Sequence, residues 1–174
     1  MRKTVLYIAM SLDGYVADNK GGVEWLHGDG SEPESMGTYF DFYETIDTIV
    51  MGYNTYHQIT TELSPDKWVY EGKRCFVTTS REIEPHDDII FTAEDPTILV
   101  EKLRAEEGKD IWICGGAAVA QALIAGDMID EYRISIIPVL LGDGIPLFAE
   151  TRKELKLRSS SQSNGITELY YTHR

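Results

Sequence analysis

The clearest chemical feature of the sequence is a pair of adjacent glycines, Gly115 and Gly116. The residues before the pair, 111–114, read Ile-Trp-Ile-Cys, which is typical of a buried strand, and residues 117–125 read as a helix. Glycine has no Cβ, so another group can approach its backbone closely. A helix that begins here directs free N–H groups and the positive end of its dipole to the same place. The spacing therefore predicts a site for a phosphate group.

Two other apolar runs also end in small or hydroxyl residues. One closes at Met51-Gly52, and another is followed by residues 78–81, Thr-Thr-Ser-Arg. Ligands of open α/β sheets bind outside the carboxyl ends of the parallel strands, so we expect these ends to line one cleft with the glycine pair.

Strands and helices alternate along most of the chain. The predicted strands cover 4–10, 48–52, 73–79, 88–91, 111–114 and 131–138, and the predicted helices cover 36–46, 54–63, 95–107 and 117–125. Asp95 is the expected N-cap of the third helix. Two extended runs, 155–163 and 166–173, flank Asn164-Gly165, a pair typical of a tight hairpin turn. The pattern predicts an α/β fold with a mostly parallel sheet and an antiparallel edge.

Composition narrows the class of protein. A chain of 174 residues is long enough for one domain, 1–174, with a full core. Its net charge of −13 disfavours nucleic acid and anionic lipid as partners. No apolar run approaches the roughly 20 residues that span a bilayer, and no leader peptide is expected. We therefore expect a cytoplasmic protein.

The two cysteines, Cys75 and Cys114, lie inside apolar runs. Neither has a second Cys or a His at the spacing of metal ligands, which argues against a metal site. We expect both to be buried free thiols on strands, as is usual in a reducing compartment.

Two common nucleotide-binding motifs are absent. Residues 115–120 read Gly-Gly-Ala-Ala-Val-Ala, which does not match Gly-x-Gly-x-x-Gly, and the chain has no Gly-x-x-x-x-Gly-Lys-Ser/Thr. A standard Rossmann domain and a P-loop enzyme are therefore disfavoured.

Six segments in order carry a resemblance to a known family. They are 8–14, 50–56, 77–81, 113–118, 130–132 and 138–148. Together they resemble the dihydrofolate reductase superfamily, and within it the reductase (C-terminal) domain of the bifunctional riboflavin-biosynthesis deaminase/reductase and its stand-alone relatives. The resemblance covers essentially the whole chain. It implies a dihydrofolate reductase-like fold, with a mixed sheet of about eight strands, helices on both faces and a C-terminal antiparallel hairpin.

The superfamily consists of NADPH-dependent reductases, so the resemblance implies NADPH as cofactor. It places Ala9 at the nicotinamide carboxamide and Val16 in a loop that closes over the nicotinamide ribose. It places Ser80 and Arg81 at the adenosine ribose and its 2′-phosphate, and it implies a cis bond within the glycine pair. The implied cofactor-binding residues are Ala9, Val16, Gly52, Tyr53, Thr55, Thr78, Ser80, Arg81, Gly115, Gly116, Ala117, Ala118 and Val119.

Three residues are the candidates for substrate contact: Ser11, Asp13 and Trp25. Two of the three also have a structural interpretation, since Asp13 precedes Gly14 as in many turns and Trp25 is a loop aromatic. Tyr7 and Ser11 flank the cofactor side of the first strand, and we expect one of the two to touch the substrate.

The sequence departs from both known patterns on the substrate side. Met36 occupies the position of the acidic residue of dihydrofolate reductases, with Glu34 nearby, and Cys114 replaces a Glu that usually precedes the glycine pair in riboflavin-type reductases. The resulting prediction is a reductase that transfers hydride to a small pyrimidine- or pterin-like substrate, similar to 5-amino-6-(5-phosphoribosylamino)uracil reductase. The alternatives are a true dihydrofolate reductase that uses Glu34 and a nucleotide-binding protein without turnover.

Residues 136–141, Ile-Ile-Pro-Val-Leu-Leu, form an apolar segment near the end of the predicted sheet. Such a run suits the core, and in the riboflavin-type relatives the matching segment contributes to a homodimer interface. We expect both roles, and therefore a homodimer that acts on a small-molecule substrate.

Overall fold

The structure is a computed structural model that describes residues 1–33, 35–86 and 88–174. Its strands are β1 (Thr4–Ser11), β2 (Tyr15–Ala17), β3 (Ile46–Gly52), β4 (Arg74–Thr78), β5 (Ile89–Thr92), β6 (Asp110–Gly115), β7 (Glu131–Ile137), β8 (Ile145–Pro146), β9 (Leu155–Ser163) and β10 (Ile166–His173). Its helices are α1 (Tyr39–Thr45), α2 (Tyr53–Gln58), α3 (Pro96–Ala105) and α4 (Ala117–Ala125), and a π-helical segment, Ile59–Leu63, follows α2.

Eight strands form one sheet in the order β5-β4-β3-β6-β1-β7-β10-β9. The neighbours from β5 to β7 pair in parallel, whereas β10 is antiparallel to both β7 and β9. The short strands β2 and β8 pair with each other outside this sheet. The predicted α/β class, the eight strands and the C-terminal antiparallel hairpin are confirmed.

The core lies on both faces of the sheet. Val5 and Leu6, neighbours in β1, belong to opposite faces and are 1% and 0% exposed. Helices α3 and α4 cover the face that contains Leu6, and α1 and α2 cover the other. A strand that is buried on both sides reads as a continuous apolar run, which explains the sequence of β1.

The local signals at two boundaries are confirmed. Asn164 and Gly165 have φ values of +50° and +74°, as a two-residue hairpin turn requires. Asp95 accepts a hydrogen bond from the Thr97 N–H at 2.8 Å and so caps α3, and Pro96 takes the first helical position.

The first helix is shorter than predicted. The apolar spacing predicts a helix over 36–46, but α1 spans Tyr39–Thr45, and Met36 precedes it. Ile46 has helical spacing from Phe42 yet begins β3, where it is completely buried and pairs with Asp110. Burial between the sheet and its covering layer decides its conformation, and periodicity alone does not reveal this.

Within the described residues, no helix is both long and apolar enough to cross a bilayer. The same residues contain no group of three or more His, Cys, Asp or Glu side chains placed to hold a metal ion. Cys75 and Cys114 lie on β4 and β6 as predicted and are free thiols, although Cys114, near the end of its strand, is only half-buried.

Candidate active site

The strand ends that were predicted to line a cleft lie at one edge of the sheet. Gly52 pairs with Thr78, and Met51 pairs with Gly115. Strands β1 and β7 also pair in parallel up to their last residues. All these carboxyl ends therefore open on the same side, which is where ligands bind in sheets of this type.

Two strand-to-helix turns face each other at this edge. A Cβ at Gly116 would lie 3.2 Å from Thr55 Oγ1, and a Cβ at Gly52 would lie 3.4 Å from Val119 Cγ2. Side chains at the two glycines would therefore narrow the space between the starts of α2 and α4. Gly115 has a φ of +121°, and the peptide bond that joins it to Gly116 is cis, as the resemblance implies.

The start of α4 leaves its first N–H groups without a side-chain cap. Gly116 is the N-cap, and no side chain bonds the helix end there. Ala117 and Val119 are buried and Ala118 is exposed, so the first turn of α4 itself presents only the methyl group of Ala118 to solvent. Free N–H groups at the positive end of a nine-residue helix favour an anion.

A guanidinium group lies beside the start of α2. Arg81 packs over the ring of Tyr53, with 4.5 Å between the guanidinium carbon and the ring centroid, and Ser80 next to it is exposed. Such an exposed cation–π contact stabilises the pair by roughly 0.5–1 kcal/mol. In the part of the chain that the structure describes, no carboxylate pairs with Arg81. Its N–H groups are therefore available to an anionic ligand.

A cavity of about 430 Å³ opens beside Ala9 on β1. Its wall also includes Tyr7, Tyr39, Met36 and Ile137. This volume lies in the range of pockets that hold small organic ligands, and the wall combines aromatic and aliphatic groups with a few polar ones. Of the predicted cofactor residues, Ala9 alone contributes to the described lining of this cavity.

Tyr7 contacts the cavity, and Ser11 does not. The Tyr7 ring stacks on Phe42 at 4.6 Å, and its hydroxyl lies 3.2 Å from Glu168 Oε1. Burial raises the pKa of Tyr7 above its ordinary value, and the negative charge of Glu168 contributes to the increase. Tyr7 therefore stays a hydrogen-bond donor at neutral pH.

Ser11 and Asp13 form a hydrogen bond with each other, and Asp13 also accepts hydrogen bonds from the segment that follows β7. Ser11 is completely buried, and its hydroxyl donates to Asp13 Oδ1 at 2.6 Å. Asp13 also accepts from the N–H groups of Leu141 and Gly142, at 3.2 and 2.7 Å. These bonds fix the turn after β1, which is the structural interpretation of Asp-Gly. A substrate contact by either residue stays a prediction.

Val16 and Trp25 also lie outside the described lining of the cavity. Val16 is half-buried in β2 against the core, and β2 pairs with β8. The Trp25 indole N–H donates to the Gly22 carbonyl at 3.1 Å, which fixes the ring within its own loop. Their assigned roles likewise stay predictions.

Cys114, directly before the glycine pair, is a neutral group. Its sulfur lies 3.6 Å from the Tyr70 hydroxyl. Burial raises the pKa of the thiol to about 11, although the bond with Tyr70 acts in the opposite direction. The position that carries a Glu in riboflavin-type reductases therefore adds no charge here.

The sequence analysis missed a carboxylate in the cavity wall, Glu168 on β10. Polar residues ordinarily alternate with apolar ones in a hairpin strand, so Glu168 does not stand out in the sequence. Met36, at the position of the acid of dihydrofolate reductases, does line the cavity. Glu34, the acid of the alternative prediction, lies outside the described residues.

Sequence comparison identifies the family. The model of the RibD C-terminal domain matches residues 2–169. The chain belongs to the RibD C-terminal domain family. It is 41% identical over 173 residues to YwjB of Bacillus subtilis (strain 168), with 98% of this chain and 97% of YwjB covered. It is 31% identical to YyaP of the same organism, over 98% of this chain and 94% of YyaP.

Solved structures confirm the RibD-like, dihydrofolate reductase-like fold. A Shewanella sp. PV-4 protein assigned to riboflavin biosynthesis is 29% identical, with a TM-score of 0.85 and 99% of both chains covered. Acinetobacter baumannii RibD has a TM-score of 0.73 at 18% identity, and a Thermotoga maritima deaminase/reductase has 0.70 at 15%. The chain spans 58% and 57% of these last two proteins, so it corresponds to one part of each.

Proposed function

We propose that the protein is an NADPH-dependent reductase that transfers hydride to a small heterocyclic substrate held in the cavity beside Ala9. The observation that carries the proposal is the pair of facing turns, in which Thr55 Oγ1 approaches Gly116 at the sheet edge where β1 also ends. Membership of the RibD C-terminal domain family supports it. Among the structural relatives, the Thermotoga maritima protein is a 5-amino-6-(5-phosphoribosylamino)uracil reductase as well as a deaminase.

The residues at the facing turns fit a dinucleotide. Gly52 and Gly116 leave room for a pyrophosphate between the two helix starts, and Gly115 supplies the positive φ of the turn. The Thr55 hydroxyl and the start of α4 provide donors. We assign the 2′-phosphate to Arg81, which follows β4 and packs over the Tyr53 ring, because a guanidinium group binds phosphate through paired N–H donors. These are the residues that we expect to hold NADPH.

The cavity positions the substrate and excludes water. When bound, the nicotinamide supplies the hydride. The apolar walls, Met36 and Ile137, limit water around the reacting ring, and the aromatic rings of Tyr7 and Tyr39 restrict its orientation. We assign the proton to water or to a group of the substrate. Ser11 and Asp13 contribute by fixing the turn that follows Ala9.

Turnover assays separate this proposal from its alternatives. NADPH oxidation is followed with the pyrimidine ribosyl phosphate of riboflavin biosynthesis and with dihydrofolate. Oxidation with the pyrimidine alone supports a riboflavin-type reductase. Oxidation with dihydrofolate that is lost in Glu34→Gln would instead identify a dihydrofolate reductase. Tight NADPH binding without turnover of either compound would favour the nucleotide-binding protein.

We also propose that the reductase is a cytoplasmic homodimer. In the segment 136–141, Ile137 is 4% exposed and belongs to the core, whereas Leu140 is 69% exposed. Leu12, whose N–H donates to Val139, is 61% exposed beside this segment. Sedimentation velocity tests the assembly: a dimer that Leu140→Asp converts to a monomer supports this interface, and a wild-type monomer contradicts it.

A further inference from the structure

Glu168 occupies the wall between two adjoining cavities. It lines the cavity beside Ala9 and a second one of about 240 Å³ that extends toward β9. Ala9, Ser135, Glu168 and Ser161 pair in one row across β1, β7, β10 and β9. Two strand spacings, about 10 Å, separate the backbones of Ala9 and Glu168. A flat heterocycle can therefore contact both residues at once.

Three neighbouring hydrogen-bond donors orient the Glu168 carboxylate. Tyr7 Oη lies 3.2 Å from Oε1, Ser161 Oγ lies 3.3 Å from Oε2, and the Thr38 N–H lies 3.4 Å from Oε2. All three distances exceed the typical hydrogen-bond ranges, which end at about 3.0 Å for O–H···O and about 3.2 Å for N–H···O, so the three bonds are weak. The Thr38 nitrogen also lies 3.5 Å from Oε1, so its N–H is shared between the two oxygens. The Tyr7 and Ser161 hydroxyls can rotate, so each carboxylate oxygen can accept a ligand N–H in place of a hydroxyl.

Gly37 makes room for this carboxylate. Its φ is +52°, which favours glycine, and a Cβ there would lie 2.7 Å from Glu168 Oε1. The loop before α1 can therefore bring the Thr38 N–H to a side chain 130 positions later in the sequence. The loop before α1 and strand β10, although distant in sequence, therefore pack together at this carboxylate.

No cation neutralises Glu168 within residues 1–33, 35–86 and 88–174. Arg133, in the wall of the second cavity, pairs instead with Glu131 at 3.1 Å and packs over the Tyr170 ring at 4.8 Å. Glu168 is the one acidic side chain in the described lining of the larger cavity. Its charge therefore favours a ligand that presents N–H groups and disfavours an anionic group at this point.

We propose that Glu168 selects the substrate by accepting two adjacent N–H donors, the amidine-type edge of an aminopyrimidine or a related heterocycle. A carboxylate offers two parallel acceptors, so it matches such an edge with two charge-assisted hydrogen bonds. The inference rests on the proposed function, because it names the substrate class of the same cleft. In this geometry the recognising acid comes from β10 and not from the position of Met36, which also lines the cavity.

The test compares two probes that differ in one amino group. Isocytosine has an adjacent ring N–H and amino group, and 4-hydroxypyrimidine lacks the amino group. Calorimetric titration with and without NADPH measures both affinities. We expect the wild-type protein to prefer isocytosine by about tenfold or more, and Glu168→Gln to lose the preference. Glu71→Gln, which alters an exposed surface ion pair with Lys67, should keep it.

Two results would overturn the assignment: equal wild-type affinities for the two probes, or a preference that survives in Glu168→Gln. If that variant does not fold, Glu168→Asp, which retracts the charge, should weaken the preference instead. The two proposals can fail separately. A preserved isocytosine preference without NADPH binding refutes the reductase and leaves the Glu168 assignment intact. NADPH binding without the preference refutes the Glu168 assignment alone.

Discussion

Thr55 and Gly116 face each other across the cleft, with 3.2 Å between the Thr55 hydroxyl and the position that a Cβ at residue 116 would take. They belong to different strand-to-helix turns, after β3 and β6, and those strands are neighbours in the sheet. The contact therefore joins two helix starts into one site that offers a hydroxyl and free N–H groups. This arrangement suits a pyrophosphate better than an apolar ligand.

Removing the Thr55 hydroxyl should weaken cofactor binding. Thr55→Ala deletes the hydroxyl that we propose as a donor to the pyrophosphate, and we expect NADPH affinity to fall by about tenfold or more. Thr61→Ala is the matched control, because its hydroxyl donates to the His57 carbonyl at 2.7 Å and lies outside the facing turns. Fluorescence titration measures both. Equal affinities of the two variants would count against the pyrophosphate site.

Arg81 should set the preference between the two nicotinamide dinucleotides. Arg81→Ala removes the guanidinium that we assign to the 2′-phosphate, which NADH lacks, so the NADPH affinity should fall about tenfold and the NADH affinity should change little. Arg174→Ala, an exposed residue paired with Glu154, is the control. Equal losses for the two dinucleotides would contradict the 2′-phosphate role of Arg81.

Asp13 should make stability depend on acid pH. The hydrogen bond from Ser11, and then those from Gly142 and Leu141, hold the pKa of Asp13 below its ordinary value of 3.8. A lowered pKa in the folded state gives stability that is full above the unfolded pKa and is lost as the pH falls through the folded pKa.

Thermal unfolding between about pH 6 and about pH 2 measures this effect. Asp13→Asn should melt lower than the wild-type protein at neutral pH, and the difference should shrink on acidification. Asp143→Asn, in the same region, alters a carboxylate that accepts from the adjacent Gly144 N–H and should have little effect. A difference for Asp13→Asn that is constant across the pH range would contradict the assignment.

The two cysteines should react slowly with thiol reagents in the folded protein. Burial raises the pKa of Cys75 to about 12 and that of Cys114 to about 11, so little thiolate forms at about pH 8. Labelling should be slow until urea unfolds the chain, and two thiols should then react. If either cysteine of the folded protein reacted as fast as it does in urea, that result would contradict the protection of its thiol by burial.

The fold was predictable where the signal is local. Asn164-Gly165 identified the hairpin because few residue pairs adopt two consecutive positive φ values. Asp95 identified the start of α3 because its side chain bonds a helix N–H two residues later. The glycine pair marked the boundary between β6 and α4 because an apolar strand run precedes it and a helical run follows it.

The substrate side was less predictable because it depends on distant contacts. Glu168 is an ordinary strand residue in sequence, and it becomes part of a site only where Gly37 and Thr38 pack against it. Two secondary-structure boundaries were also hard to predict. Ile46 has helical spacing but belongs to β3, since burial in the sheet determines its conformation. The two-residue strand β8, Ile145–Pro146, is too short to give a periodic pattern.

The central claim is that the cleft formed by the facing turns binds NADPH. Titration of the wild-type protein, followed by nicotinamide fluorescence, tests it most directly. We predict a saturable change with one site per chain, and tighter binding of NADPH than of NADH. The absence of a saturable change with either dinucleotide would contradict the account.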